Sequence, residues 1–577
     1  MRYLSRFWEL KLATFFLLAT PLFGVEPNTT APANVKHVGV EQNTEQCSST
    51  DLKTSRAFTV QIPMRDGLEL PTDIYFPKNM VDKLPCILVR TPAGRELYLE
   101  AFVPMTEAGY VVAIQDTRSK IDPNGSTFPL MSDAWGELQD GYDTVQWLAN
   151  SSFTNGRIGT MGFSAMGISQ LMLAPSAPPA LKAQYIGFAA SSIYHHAMYM
   201  SGRPCKEIVE GWLGKYAKDP KILQYVASQA VYNDFWERFN SNKVASKVNV
   251  PALLYAGWYD TFLQGTIDAF SSRQKFGAPG ARGAQKLVIG PWTHYWPASM
   301  ALGDFQIPEN GRQAPVDISP KRWFDFYLKG LDTGVYALEP VTYYVMGPLD
   351  GSPSSGNVWR TAKKWPIPSV STRYYLWGQG KLVQENPTHP VTAISYRYDP
   401  MDPVLSLGGT NLYIPSGPKD QRPIEGRDDM VIFTSEPLEH DLEVTGQVIA
   451  KIYFSSDCPE TDISVRLTDV YPDGRSILIT DGISSITHHD LIGEKATPYF
   501  PGDVRLVEVD LWSTSMVFAK GHRLRVAVTS SNYPRFEKSM NTVMGKKHLG
   551  TPPVATNKIH LGGRYQSHII LPVTKRG

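Results

Sequence analysis

The 577-residue sequence predicts an α/β protein whose mostly parallel sheet is interrupted by a helical insertion and followed by an all-β sandwich. Three observations predict it. Residues 56–190 alternate short apolar runs, such as Phe58-Thr-Val-Gln-Ile62, Leu84-Pro-Cys-Ile-Leu-Val89 and Tyr110-Val-Val-Ala-Ile114, with helical segments such as 140–149, the pattern of strands joined by crossover helices. Residues 191–248 change character, with aromatic and charged residues at helical spacing over 207–216 and 222–239, as in a helical cap. From about residue 341 short alternating runs recur with turn signals, including Val341-Thr-Tyr-Tyr-Val345, Asp462-Ile-Ser-Val-Arg-Leu467 and His522-Arg-Leu-Arg-Val-Ala-Val528, the signature of a β-sandwich.

At the start of the chain, Arg2 and Arg6 precede the short apolar run Leu12-Ala-Thr-Phe-Phe-Leu-Leu-Ala-Thr-Pro-Leu-Phe23, so residues 1–24 read as a secretory leader. The run is too short to cross a bilayer, and no stable membrane insertion is expected. Residues 25–55 are rich in Thr, Asn, Pro and Gln without apolar period and read as a flexible linker. The first part of the core then spans 56–190, the cap 191–248 and the second part of the core 249–335, which closes on the aromatic-rich helix 321–328 and Gly330. The sandwich takes 336–577. Within it Tyr471-Pro-Asp-Gly474 is a hairpin turn, with Asp473 a turn residue.

Formal charge is +1 for the whole chain and about −1 once the leader's three basic residues and one acidic residue are removed. A balance this even gives no single-sign field and excludes nucleic acid as the expected partner. Four cysteines (Cys47, Cys86, Cys205 and Cys458) are too few to imply a disulfide scaffold, and Cys86 reads as a buried thiol in a strand. The pairs His195-His196 and His488-His489-Asp490 lack the spacing of a metal site; the first begins the cap and the second reads as a solvated loop. No metal is expected, and the oligomeric state is not legible.

The candidate chemistry starts at Gly162-Phe-Ser164-Ala-Met-Gly167. A small-residue apolar strand, a serine and then an apolar helix form the context in which a serine hydroxyl is presented on a sharp strand-to-helix turn. The strict G-x-S-x-G pattern has Met166 in its last place here, and a serine capping a helix is an equally good reading of the motif alone. Partners decide. A serine needs a base oriented by a carboxylate, in the chain order Ser, Asp or Glu, His. The apolar strand Val250-Pro-Ala-Leu-Leu-Tyr-Ala-Gly-Trp-Tyr-Asp260 puts Asp260 at a strand's carboxyl end, where open α/β sheets build their sites. Lys286-Leu-Val-Ile-Gly-Pro-Trp-Thr-His294 puts His294 in the loop after the next strand. Ser164, Asp260 and His294 are therefore the candidate nucleophile, acid and base.

With Met64-Arg-Asp-Gly-Leu68, Gln115-Asp-Thr-Arg118, Gly141-Tyr-Asp-Thr-Val-Gln-Trp-Leu148 and Asn155-Gly-Arg-Ile-Gly159 in the same order, the sequence closely resembles the CocE/NonD serine hydrolases. That group includes cocaine esterase, α-amino acid ester hydrolase and X-Pro dipeptidyl-peptidase. The resemblance covers nearly all of the chain after the leader. It implies an α/β hydrolase core with an inserted helical cap and a C-terminal jelly-roll β-sandwich domain, the same Ser164, Asp260 and His294 roles, and no cofactor. It also implies that the Ala165 backbone N–H is one oxyanion donor and that Phe262 lines an acyl pocket, with Trp258 and Tyr259 further substrate-binding candidates.

Two departures stand out. The resemblance calls for a tyrosine directly after Arg90-Thr-Pro, where this chain has Ala93; the Gly94 N–H is the candidate replacement donor, with Arg95 and Tyr98 as alternatives. Thr261-Phe-Leu-Gln264 follows the candidate acid in place of the carboxylates that hold an α-amino group, which argues against α-amino acyl substrates.

The expected function is a secreted or periplasmic serine hydrolase cleaving a small-molecule carboxylic ester or amide through a Ser164 acyl-enzyme. X-Pro dipeptidyl-peptidase or side-chain amide acylase activity is the alternative within the family. A non-catalytic secreted binding protein with a degraded oxyanion hole is the alternative outside it.

Overall fold

The computed structural model describes residues 57–122, 128–217, 219–388, 390–543 and 550–574. The expected leader 1–24 and linker 25–55 lie outside the described residues.

A ten-stranded sheet forms the core. Its strands are β1 (Ala57–Pro63), β2 (Glu69–Tyr75), β3 (Leu84–Thr91), β4 (Val111–Asp116), β5 (Thr154–Phe163), β6 (Leu181–Gly187), β7 (Ala252–Tyr259), β8 (Lys286–Thr293), β9 (Val341–Val345) and β10 (Val358–Ala362), in the spatial order β1-β2-β4-β3-β5-β6-β7-β8-β9-β10. Pairing from β4 through β9 is parallel, and the two ends close antiparallel. The inner strands are apolar runs because both faces are covered. In β3, for example, Cys86 and Leu88 pack on one face with Val145, Leu148 and Leu173, while Ile87 and Val89 pack on the other.

The covering helices are α1 (Asp140–Asn150), α2 (Ala165–Leu173), α4 (Leu263–Phe276) and α5 (Pro320–Lys329). α5 carries its signals in sequence. The Ser319 hydroxyl accepts the Arg322 N–H, Pro320 opens the first turn, and Gly330 ends the helix at φ 72. Trp323, Phe324 and Leu328 turn inward, and Tyr110 of the turn before β4 donates its hydroxyl to Asp325 at 2.7 Å.

The core sheet runs on past the boundary expected at residue 336. Val341–Val345 pairs in parallel with β8 and antiparallel with Val358–Ala362, so the core sheet runs on to about residue 362. The run looked like a sandwich strand because a short apolar strand reads the same in either setting. Its neighbour fixes the assignment, and that neighbour lies 54 residues upstream, with Leu287 opposite Val341.

The insertion between β6 and β7 is helical in short pieces. A π-helical turn at Tyr194–Met198 leads into a two-residue hairpin, Tyr199–Met200 with Arg203–Pro204. Short turns over Lys206–Ile208, Val209–Leu213 and Gly214–Tyr216 follow, then α3 (Pro220–Ser228) and Asp234–Glu237. α3 begins at Pro220 with the Asp219 side chain accepting the Lys221 N–H at 2.9 Å.

The C-terminal sandwich is built from β11 (Val370–Trp377), β12 (Thr392–Tyr398), β13 (Leu442–Ser456), β14 (Asp462–Val470), β15 (Ser476–Ser485), β16 (Arg505–Phe518), β17 (Arg523–Thr529), β18 (Ala555–Leu561) and β19 (His568–Val573), with short strands at Lys381–Val383 and Val431–Thr434. β13 pairs with β16, β18 and β19, and β14 pairs with β15 and β17, all antiparallel. The β14–β15 turn holds Gly474 at φ 87, as its Pro-Asp-Gly sequence requires.

His488, expected in a solvated loop, is fully buried. Its ring lies against Gly202 of the cap hairpin, and burial pushes the imidazole down to about 4. The reason is the domain junction. Arg203 of the same hairpin donates to Asp462 (2.5 and 2.9 Å) and Glu460 (3.2 Å) beside it, so the polar loop is covered by the cap. Of the cysteines, Cys86, Cys205 and Cys458 are free thiols; Cys47 lies outside the described residues. Among the described residues no helix is long and apolar enough to cross a membrane.

Candidate active site

β5 ends at Phe163 and α2 begins at Ala165, leaving Ser164 at the turn with φ 56 and ψ −130, a conformation that non-glycine residues rarely hold. Two main-chain bonds hold it. Ser164 N–H donates to Gly187 O at 2.9 Å, and its carbonyl accepts Ile168 N–H at 2.9 Å. Gly162, at φ 157, completes the turn. The hydroxyl stands at the carboxyl end of the sheet, half-buried.

β7 and β8 deliver the other two groups. The strands are in register through Gly257 and Gly290, then shift before Thr293, and this bulge carries the chain past β7 to His294. The result is a chain of contacts: His294 Nε2 to Ser164 Oγ at 3.0 Å, and His294 Nδ1 to Asp260 Oδ1 at 2.6 Å. Three residues from three strand ends, 130 residues apart at the extremes, meet in one line. Asp260 is fully buried. Loss of solvent raises its carboxyl above the usual range, opposed by the His294 imidazole and by the N–H groups of Phe262 and Thr261.

The imidazole sits between two rings. Phe262 meets it edge-on at 5.5 Å and Phe188 at 5.6 Å. Phe188 carries no sequence signal; it follows β6 and is held at φ 49 with its N–H on Tyr255 O at 2.9 Å.

The other two expected pocket residues place their polar atoms on main-chain carbonyls of other strands. Trp258 donates Nε1–H to Tyr344 O at 2.6 Å and packs on Trp365. Tyr259 reaches into the sandwich and donates to Leu478 O at 3.1 Å. Both lie on a strand buried on its two faces, where adjacency to Asp260 in sequence does not bring a side chain to the site.

The oxyanion candidates are arranged as follows. Ala165 opens α2 directly after Ser164, with its N–H among the first-turn donors a helix leaves without internal acceptors. Gly94 has φ 126, a value that suits glycine, and opens the short turn Arg95–Tyr98. Arg95 is committed away from the site: its guanidinium pairs with Asp116 (2.5 Å) and Asp73 (3.0 Å). Tyr98 meets Phe102 at a tilt, with ring centroids 6.2 Å apart and its hydroxyl beside Thr91, and burial pushes the phenol up. Arg90, two residues before Pro92, is buried and structural, donating to Gln115 at 2.6 Å and paired with Asp133.

His195 and His196 are also structural partners: His195 Nδ1 lies 2.8 Å from Ser192 Oγ, and His196 Nε2 lies 3.1 Å from Asp268. Among the described residues no group of three His, Cys, Asp or Glu side chains is arranged to hold a metal ion.

A doubly covered α/β hydrolase sheet, with a serine on the elbow after β5 and an all-β domain behind it, defines the class: a serine hydrolase of the α/β hydrolase fold. Comparison with known proteins narrows this. The family model described as X-Pro dipeptidyl-peptidase (S15 family) matches residues 66–212 and 203–296, and the one described as the X-Pro dipeptidyl-peptidase C-terminal non-catalytic domain matches residues 333–570. The chain is 30% identical to cocaine esterase of Rhodococcus sp. (strain MB1 Bresler) over 595 aligned positions, covering 90% of this chain and 99% of the relative. Among solved structures, an aminopeptidase from a marine sediment Thaumarchaeota archaeon (22% identity, TM-score 0.78) covers 96% of this chain and 100% of its own. An α-amino acid ester hydrolase (23% identity, TM-score 0.75) covers 94% and 100%. The chain belongs to the CocE/NonD family of serine hydrolases.

Proposed function

We propose that this enzyme is an exported esterase that cleaves a small carboxylic ester through an acyl-enzyme on Ser164. The observation that carries the reading is the line Ser164 Oγ, His294, Asp260 at 3.0 and 2.6 Å. In it, His294 Nε2 takes the hydroxyl proton as Ser164 Oγ attacks the ester carbonyl. Asp260 holds Nδ1–H, fixing the ring's orientation and favouring the imidazolium that forms. The Ala165 N–H and, in place of the tyrosine this chain lacks at Ala93, the Gly94 N–H stabilise the tetrahedral oxyanion. His294 then gives its proton to the departing alcohol, and water repeats the sequence to free the acid. Phe262 and Phe188 flank the imidazole, hold its plane and border the acyl side.

Export rests on the leader read at residues 1–24. Similarity to the Rhodococcus cocaine esterase favours esters, and the X-Pro dipeptidyl-peptidase description of the matching families puts dipeptidyl amides second. The test is fluorophosphonate labelling of the mature protein with peptide mass spectrometry, followed by a panel of aryl esters and X-Pro anilides. Labelling at Ser164 that requires His294, with turnover of the esters, is the expected result. Absence of labelling overturns the reading in favour of a binding protein.

A further inference from the structure

Behind His294 the loop Gly408–Gly417 of the sandwich is held from three directions. Glu207, a carboxylate on the cap buried to 7% exposure, accepts the Leu412 N–H on both oxygens (3.0 and 3.2 Å) and the Tyr413 N–H at 2.6 Å. The carbonyl of the same Leu412 accepts the hydroxyl of Tyr295, the residue next to His294. Arg535 of the sandwich donates to Thr410 at 2.5 Å, its own carbonyl accepts the Glu207 N–H at 3.3 Å, and the Tyr413 ring seats against Gly211 of the cap.

We propose that Glu207 is a positioning residue for the catalytic base: by fixing the main chain of Leu412 it fixes Tyr295, and through Tyr295 the loop that carries His294. The proposal rests on the Ser164 and His294 reading above. Its logic is the choice of group. Two domains can be joined by apolar packing at lower cost than by burying a carboxylate, so a carboxylate spent on two consecutive N–H groups is suited to setting position. It receives them with directional, charge-assisted bonds, while the partner it orients sits one residue from the imidazole. Burial raises the Glu207 carboxyl, and the two N–H donors, Arg535 and His294 favour its charged form.

The test compares Glu207→Gln, Glu207→Asp, Tyr295→Phe and the double variant Glu207→Gln/Tyr295→Phe, with Ser164→Ala as reference, reading kcat, KM, the rate of fluorophosphonate labelling at Ser164 and thermal unfolding. Glu207→Gln keeps one acceptor oxygen and is expected to lower kcat and labelling about 10- to 100-fold, the scale of a small misplacement of a reacting group, with KM near the wild-type value. Tyr295→Phe is expected to act in the same direction, with the double variant no worse than the more impaired single one. Equal losses in all folded variants explained by lower thermal stability alone, additive single effects, or wild-type kcat in Glu207→Gln would each overturn the proposal. Full activity of Ser164→Ala would instead overturn the reading beneath it.

Discussion

The Cβ of Met166 stands 2.5 Å from the point a Cβ on Gly162 would take. The two residues face each other across the turn that carries Ser164, and only one of them can bear a side chain. Gly167 does a separate job: a Cβ there would lie 2.9 Å from both Gly187 O and Ala189 Cβ, so its bareness lets α2 lie close on β6. The departure from G-x-S-x-G is thus local, since glycine is kept on one side of the turn and the second glycine serves helix packing.

Gly162→Ala is therefore expected to destabilise the fold by about 1–3 kcal/mol, because it adds a strained backbone and a steric conflict at one point. Thermal unfolding measures this directly, and an unchanged midpoint would show that the turn relaxes freely.

Ser164→Ala and His294→Ala should each lower kcat about 10⁴- to 10⁶-fold, and the double variant should be no slower than either, because residues that act as a unit are not additive. Asp260→Asn should cost about 10⁴-fold. Steady-state hydrolysis of an activated aryl ester reads all four, with folding checked by circular dichroism.

Gly94→Pro removes the N–H proposed to stand in for the tyrosine absent at Ala93, and should slow acylation about 10²- to 10³-fold. Single-turnover kinetics isolates that step. Wild-type acylation in a folded Gly94→Pro protein would return the second donor to another group.

Asp510 of β16 is half-buried, and loss of solvent raises its carboxyl to about 7, against the N–H of Trp512 and the Gln447 amide that favour its charge; Asp268 raises it further and His196 lowers it. In the unfolded chain the same group titrates near 3.8. Between these values the folded protein holds the proton and the unfolded chain does not, so this group's contribution to stability falls as pH rises through that window. Asp510→Asn removes the dependence. The variant's melting temperature relative to wild type should be higher at pH 8 than at pH 5, as read by scanning calorimetry.

The line of Ser164, Asp260 and His294 was legible because each sits where an apolar strand ends, and strand ends of a parallel sheet converge on one rim. The other landmarks of the sequence prove to be scaffolding. Arg118 of the Gln115-Asp-Thr-Arg118 stretch bridges Asp66 (2.7 and 3.1 Å) and Asp140 (2.7 and 3.0 Å), and Arg65 pairs with Asp143. Those motifs tie the β1–β2 turn, the end of β4 and the start of α1 together. Phe188, Glu207 and Leu412 were not legible, because their parts depend on contacts between segments up to about two hundred residues apart that no local period encodes. The partners of Trp258 and Tyr259, Tyr344 O and Leu478 O, were not legible for the complementary reason: nearness along the chain to Asp260 says nothing about which way a buried strand turns its side chains.

β9 belongs to the hydrolase sheet, yet the residue after it, Met346, exchanges main-chain bonds with the sandwich, donating to Ser515 O and accepting from Val517 N–H, both at 2.9 Å. One short strand thus serves both halves. A recombinant hydrolase half that stops before it would leave β8, the strand leading to His294, as a bare apolar edge open to pairing with other copies. In this chain the hydrolase sheet and the all-β domain share that strand, so a cut before it is expected to expose the sheet rather than to release an independent half.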